Sequence, residues 1–168
     1  MVECSSLFSL YKSYKNGGAV YLMSGLDRTV RDYNDLISIA CWFAKNGHQV
    51  KVLAPIHFKD PLYRVVFGGL VGSMYYRKCP DLLIDNNYYE YESYERPFKS
   101  RKISHMIKRG ALQSNRIIID NNKGASDRFI LNMILKRVND IYFLVERDEL
   151  LVYEKGNIRK LYKKSGRE

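Results

Sequence analysis

The spacing of apolar residues predicts a helix in the first third of the chain. Between Asp32 and Asn46, apolar residues recur three and four positions apart, at Leu36, Ile39, Ala40, Phe43 and Ala44. Gly47 is well placed to end this helix, because glycine accepts the left-handed backbone that follows a last helical turn. The segment from Gln49 to Ala54 then predicts a strand.

The segments before this helix and after this strand have a less regular pattern of apolar residues. A helix is expected around Leu7 to Tyr14, followed by a turn at Gly17-Gly18 and a strand at Ala19 to Met23. From Pro55 to Cys79 the pattern favours a flexible loop, because this segment contains closely spaced glycines.

The segment from Pro80 to Glu92 predicts two short paired strands. A two-residue turn at Asp85-Asn86 is expected, because both residue types tolerate the positive φ of hairpin turns. Such a turn places Asp81 opposite Glu90, and the two-residue period of a strand brings Glu92 to the same face. We therefore expect Asp81 and Glu90 on adjacent antiparallel strands, with their carboxylates directed into one cleft.

The second half of the chain alternates predicted helices and strands. A basic helix is expected from Ser100 to Gln113, an apolar strand from Arg116 to Asp120, and then a helix capped by Ser126. The segments Ile141 to Val145 and Leu150 to Tyr153 predict a hairpin. Together the elements predict α/β architecture, with a mixed β-sheet flanked by helices in a single domain.

This domain is expected to cover residues 1–168 and to have three regions. Its core spans about residues 30–120, a C-terminal helix and hairpin span 125–154, and a basic tail spans 155–168. The tail is expected to be solvated or disordered, because it ends the chain and is rich in like charges.

Carboxylates that lie close together repel one another, so the predicted face needs a cation or solvent. Hard oxygen ligands of this kind suit Mg²⁺ or Mn²⁺. An ordinary hairpin with a hydrated acidic side is the alternative, since antiparallel sheets commonly keep one face wet. The spacing of Asp81, Glu90 and Glu92 leaves both interpretations open.

The order of motifs over about residues 30 to 120 resembles the PD-(D/E)XK nuclease superfamily, and within it the tRNase-type C-terminal domains of contact-dependent inhibition toxins. The matching segments are Ala44-Lys-Asn-Gly47-His-Gln-Val50, Pro80-Asp-Leu-Leu-Ile-Asp85-Asn86, Glu90-Tyr-Glu92, and Gln113 before an apolar strand. The resemblance implies a nuclease-like core.

The resemblance also implies roles for individual residues. A metal ion would be held by Asp81, Glu90 and the backbone carbonyl of Tyr91, while Gln113 would orient the substrate or a water. The family's lysine, which would orient the attacking water and stabilise negative charge, falls on Glu92.

Glu92 therefore has two interpretations. It is either a third oxygen ligand, with Lys99 or Lys102 reaching back from the next helix to supply the positive charge, or the mark of a decayed site whose scaffold only binds.

The charge of the chain indicates a nucleic-acid partner. The chain carries 28 Lys and Arg against 18 Asp and Glu, and its formal net charge is +10. Such an excess attracts phosphates, although a basic surface also provides solubility. The cations nearest the acidic segment are the predicted nucleic-acid contacts: Arg96, Arg101, Lys108, Arg109 and Arg116. Among the 14 tyrosines, Tyr88 and Tyr94 are the expected surface residues for base stacking, and most of the others are expected to pack.

The cysteines and the absence of targeting patterns bear on where the protein is located. The cysteines lack paired metal spacing and are expected to be reduced thiols of a cytoplasmic protein. No secretory signal or membrane span is predicted. The leading hypothesis is a metal-dependent nuclease acting on RNA or DNA. A non-catalytic nucleic-acid-binding or regulatory protein, and a module that binds an acidic protein, are the alternatives.

Overall fold

The computed structural model describes residues 7–94, 100–135 and 149–163. The chain divides into two compact units, Met1–Tyr88 and Tyr89–Glu168. Each unit combines helices with a mixed β-sheet, so the predicted α/β class is confirmed. The single domain over the whole chain stays a prediction. No helix within the described ranges has the length and apolar character needed to cross a membrane.

The first unit contains four strands and a crossover helix. The strands are β1 (Phe8–Ser13), β2 (Ala19–Met23), β3 (Gln49–Val52) and β4 (Leu82–Ile84). β2 and β3 pair in parallel, whereas β1 and β4 pair antiparallel at either side of them. Helix α1 (Tyr33–Lys45) connects the parallel pair and packs on it through the apolar stripe that its spacing predicts. Gly47 follows α1 with a φ of 96°, as predicted.

Two expectations for the first unit are wrong. The expected helix around Leu7 to Tyr14 is strand β1, which pairs with β2 across the predicted glycine turn. The expected loop from Pro55 to Cys79 contains helix α2 (Pro61–Phe67) and a short 3-10 helix at Gly68–Leu70. Asp60 caps α2 by accepting a 2.9 Å hydrogen bond from the Leu62 N–H, and proline suits the first helical position.

Helix α2 forms in that segment because it contributes buried aromatic residues to a local core. Tyr63 and Phe67 are fully buried, with ring centroids 5.1 Å apart. They belong to a cluster with Leu7, Met23, Leu53, Ala54, Val66, Leu70 and Tyr75. The closely spaced glycines suggested flexibility, but the apolar side chains between them determine the structure.

The second unit is built on two parallel crossovers and a hairpin. Its elements are β5 (Asn87–Glu92), which belongs to this unit from Tyr89 onward, α3 (Ser100–Ala111), β6 (Arg116–Asp120), α4 (Asp127–Leu135), β7 (Glu149–Glu154) and β8 (Asn157–Lys163). β6 pairs in parallel with β5 and β7, and β8 pairs antiparallel with β7. α3 packs on β6 and contributes Ile103, Met106 and Ile107 to the apolar core. Ser126 caps α4 as predicted, because its hydroxyl accepts a hydrogen bond from the Phe129 N–H.

The turns test two further predictions. Asp85 and Asn86 have φ values of 43° and 68°, so the predicted two-residue turn between β4 and β5 is confirmed. The prediction of a solvated or disordered tail is partly wrong. Strand β8 lies within this segment and pairs with β7 after a turn at Lys155-Gly156. The alternation that buries Ile158 was obscured by the surrounding cations. The predicted strand from Ile141 to Val145 lies outside the described residues.

Replacing Gly18 with alanine is expected to lower the free energy of unfolding by about 1–3 kcal/mol, because overpacking forces the backbone apart. A Cβ at Gly18 would collide with the carbonyl oxygen of Ala44 at the end of α1. Gly68→Ala is the matched control, since a Cβ there meets nothing within 4 Å and the φ is −57°. Urea denaturation measures both variants, and equal effects would contradict the close approach.

Candidate functional site

Glu90 and Glu92 lie on the same face of β5, as the strand period predicts. Their register partners on β6 are Ile117 and Ile119, which belong to the apolar core beneath α3. Both glutamates are buried. A buried carboxylate costs free energy unless a positive charge or hydrogen bonds compensate it. The face of β5 that faces α3 therefore requires compensation for two acidic side chains.

Arg109 on α3 supplies that compensation at Glu92. Its Nη2 lies 2.6 Å from Glu92 Oε2, and the same nitrogen donates a 3.1 Å hydrogen bond to the Ser93 carbonyl. The Glu92 side chain is only 9% exposed, whereas the Arg109 side chain is 61% exposed. The guanidinium thus neutralises a buried carboxylate at one end and remains open to solvent at the other.

Gly110 permits this contact by bringing the end of α3 close to the sheet. A Cβ at Gly110 would lie 2.7 Å from Ile117 Cγ2 and 3.2 Å from Glu92 Cγ. Any side chain at this position would push α3 away from β5 and β6. Arg109 was predicted to contact phosphate, and its pairing with Glu92 was not predicted. The available signal was the glycine beside an arginine at the end of a helix preceding a buried strand.

The other expected metal ligands have different surroundings. Asp81 lies just before β4 in the first unit, half-buried, and its backbone carbonyl accepts a 2.9 Å hydrogen bond from the Leu53 N–H. Tyr91 lies on β5 between the two glutamates, so its side chain points to the opposite sheet face, where it packs edge-on against Tyr153. Because Asp81 and Glu90 belong to different units, their convergence in one cleft stays a prediction.

The expected cations are distributed along α3 and β6. Lys102 is half-buried and Lys108 is exposed on α3, while Arg116 on β6 donates a 3.3 Å hydrogen bond from Nη1 to Asn115 Oδ1. Gln113 follows α3, half-buried, and its N–H donates to the Gly110 carbonyl. Arg101 belongs to α3, although its side chain is outside the described part. Arg96 and Lys99 lie outside the described residues.

The buried carboxylates of β5 differ in how well they suit a metal ion. Glu90 offers the hard oxygen donors that Mg²⁺ and Mn²⁺ prefer. Glu92 is already paired with Arg109. To act as a third ligand, it would have to give up the guanidinium and bind the metal ion instead. Within residues 7–94, 100–135 and 149–163, no three His, Cys, Asp or Glu side chains are grouped to hold a metal ion. The donor set therefore fits a metal at Glu90 better than at Glu92.

A histidine and an aspartate that received no functional prediction form a second polar cluster. Asp85 Oδ2 accepts a hydrogen bond from His48 Nδ1, and its Oδ1 accepts a 2.9 Å bond from the Gln49 N–H. Partial burial raises the pKa of the Asp85 carboxyl, but these two hydrogen bonds outweigh burial and hold the pKa below its usual 3.8. The cluster fastens the turn at Asp85 to the start of β3.

Tyr88 and Tyr94 do not have the open ring faces that the sequence suggested. Tyr88 packs on the α2 core, its hydroxyl donates a 2.7 Å hydrogen bond to the Val66 carbonyl, and burial raises its pKa. Tyr94 is half-buried against the core of the second unit. Tyrosine alternation alone could not distinguish these positions, because the burying residues come from distant segments.

Removing the Arg109 charge is expected to destabilise the second unit, because Glu92 would be left buried without its cation. We expect Arg109→Met to lower the free energy of unfolding by about 1–2 kcal/mol, a value reduced by the exposure of the guanidinium. Arg109→Met combined with Glu92→Gln is expected to recover part of this loss. Denaturation of the single and double variants measures the coupling, and additive effects would contradict the ion pair.

Asp85→Asn is expected to alter the dependence of stability on pH while conserving the turn, since asparagine also tolerates positive φ. A carboxyl with a depressed folded-state pKa contributes stability above its unfolded pKa, and that contribution disappears as pH falls through the folded value. Wild type should therefore exceed Asp85→Asn in stability above about pH 5, by at most about 1 kcal/mol, and converge with it below 3.8. A pH-independent difference in urea denaturation would contradict this assignment.

Comparison of the chain with models of protein families, with curated proteins and with solved structures found no match.

Proposed function

We propose that the protein is a metal-dependent nuclease that hydrolyses phosphodiester bonds in RNA or DNA. The observation that carries the proposal is the Arg109 guanidinium beside Glu92. In the family that the motifs resemble, a lysine places a positive charge at this point of the strand. Glu92 by itself would place a negative charge there. Arg109 brings a cation to the same point from α3, in place of the expected Lys99 or Lys102.

The resemblance gives each residue a role in this reaction. Asp81, Glu90 and the Tyr91 carbonyl would hold Mg²⁺ or Mn²⁺, which, when bound, polarises the phosphate and lowers the pKa of a water. Arg109 stabilises the negative charge that develops on the phosphate, and Glu92 acts as the positioning residue that holds the guanidinium. Arginine remains protonated at all relevant pH values, so it serves as a charge and not as a base.

The surface of α3 supports binding of the same substrate class. Lys108 and Arg109 are exposed in its last turn, and Lys102 lies in its first. Cations on one helix beside the carboxylates would hold a phosphodiester by charge attraction and counterion release. The remaining expected contact, Arg116, is half-buried on β6 and contributes less accessible charge.

A non-catalytic nucleic-acid-binding protein on the same scaffold is the second candidate. The observation that favours it is again the pairing of Glu92, because a guanidinium already neutralised by a carboxylate stabilises developing charge less strongly. The two candidates agree on binding and differ only in turnover.

Cleavage of labelled RNA and DNA in Mg²⁺, in Mn²⁺ and in chelator separates them. We expect wild type to cleave only with metal, and Asp81→Asn to abolish cleavage without loss of folding, because it removes a ligand charge at constant volume. Arg109→Met should lower kcat by about 10²-fold or more with a smaller change in KM, since the charge acts in the transition state. Lys59→Met, an exposed lysine of the first unit, is the matched control for charge alone.

Salt-dependent binding without cleavage in either metal would establish the second candidate. Cleavage that persists in chelator and in Asp81→Asn would overturn both assignments of the site. Lys108→Gln should weaken binding and reduce the salt dependence of affinity, because fewer counterions are released. An unchanged slope would show that the nucleic acid binds elsewhere.

A further inference from the structure

An open pocket of about 430 Å³ lies on the sheet of the first unit. It is lined by residues of three strands and of the turn after β4: Tyr21, Gln49, Lys51, Leu83, Asp85 and Asn86. Tyr21, Lys51 and Leu83 are register partners on β2, β3 and β4, and Leu10 on β1 continues the row. Register partners point to the same sheet face, so Tyr21, Lys51 and Leu83 form the floor of the pocket, and Leu10 extends this face beyond it.

The local core around helix α2 covers only part of this sheet face, so the part that contains the pocket stays open. The cluster around Tyr63 and Phe67 covers Met23 and Leu53 and reaches only partly over Leu83. Beyond that edge, Tyr21 and Lys51 are half-buried and Leu10 is 59% exposed. An apolar and aromatic floor therefore remains accessible beside a packed layer.

Several polar groups at this pocket have no hydrogen-bond partner in the described part of the chain. They are the hydroxyl of Tyr21, the side-chain amide of Asn86 and the ammonium of Lys51, which lies 4.8 Å over the Phe8 ring and forms no ion pair with a described carboxylate. The acidic group at the rim, Asp85, is by contrast bound to His48 and to the Gln49 N–H. The pocket thus offers an aromatic face, an amide and a cation to a ligand.

We propose that this pocket binds one unpaired nucleotide of a single-stranded nucleic acid. The base lies on Tyr21 and Leu83, its edge meets the amide of Asn86, and its phosphate meets Lys51. This inference rests on the proposed function for its substrate class and adds a specificity for unpaired segments.

The volume, the aromatic floor and the charge favour this ligand over others. A volume of about 430 Å³ lies in the range of small-molecule sites and suits one nucleotide. An aromatic side chain next to a cation is the arrangement by which proteins hold single strands, since bases expose a ring face only when unpaired. The chain's net charge of +10 complements a phosphate backbone.

The test measures binding of a labelled single-stranded RNA, the same sequence as single-stranded DNA, and the RNA duplex, all in chelator so that no metal-dependent cleavage occurs. We expect Tyr21→Leu to weaken single-strand binding about ten-fold and Tyr21→Phe to retain wild-type affinity, because phenylalanine keeps the stacking ring. Duplex affinity should stay unchanged in both. Tyr162→Leu, an exposed tyrosine of the second unit, is the matched control.

Lys51→Gln is expected to weaken single-strand binding and to lower the slope of log affinity against log salt by about 1, because one phosphate contact is lost. Equal RNA and DNA affinities support recognition of base and phosphate, and stronger RNA binding supports the same site with a ribose contact. Unchanged single-strand binding in folded Tyr21→Leu, or an equal loss for the duplex, would overturn the proposal. Tyr21-dependent binding without metal-dependent cleavage would retain this pocket while removing the nuclease activity.

Discussion

The ion pair between buried Glu92 and exposed Arg109 is the constraint on which the candidate site depends. A carboxylate that is 9% exposed needs a cation, and Arg109 reaches it only because α3 closes on the sheet at Gly110. The same contact fixes the end of α3 against β5 and β6. Packing and charge are therefore inseparable here: a change that moves α3 also uncovers Glu92.

This pair changes how the proposed nuclease site would work. A lysine on the strand combines a positive charge with a proton that it can release, whereas arginine keeps its proton and offers a planar set of donors. Glu92 can hold one side of that plane while the solvent-facing side remains accessible to a phosphate oxygen. A glutamate in the motif thus changes the source and direction of the charge, and does not by itself remove it.

Periodicity predicted those elements whose own side chains determine their burial. Helix α1 and strand β6 match their predicted segments because each presents a regular apolar pattern to a core. Segments that depend on distant partners were not predictable in this way. Strand β1 is largely exposed and is defined by pairing with β2, and β8 hides Ile158 among cations. The pairing of Glu92 with Arg109 likewise depends on the approach of two elements, which sequence spacing does not encode.

The hydrogen bonds of Asp85 link local turn chemistry to the surface of the first unit. Asp85 has the positive φ that a two-residue turn requires, and its carboxylate binds both His48 and the Gln49 N–H. The turn after β4 is thereby fastened to the start of β3, and the rim of the pocket is fixed beside Tyr21 and Lys51. A rigid rim limits the conformational entropy lost on binding, because the groups that meet a ligand are already ordered. Asp85 therefore both forms the turn of the motif and preorganises the open face of the sheet.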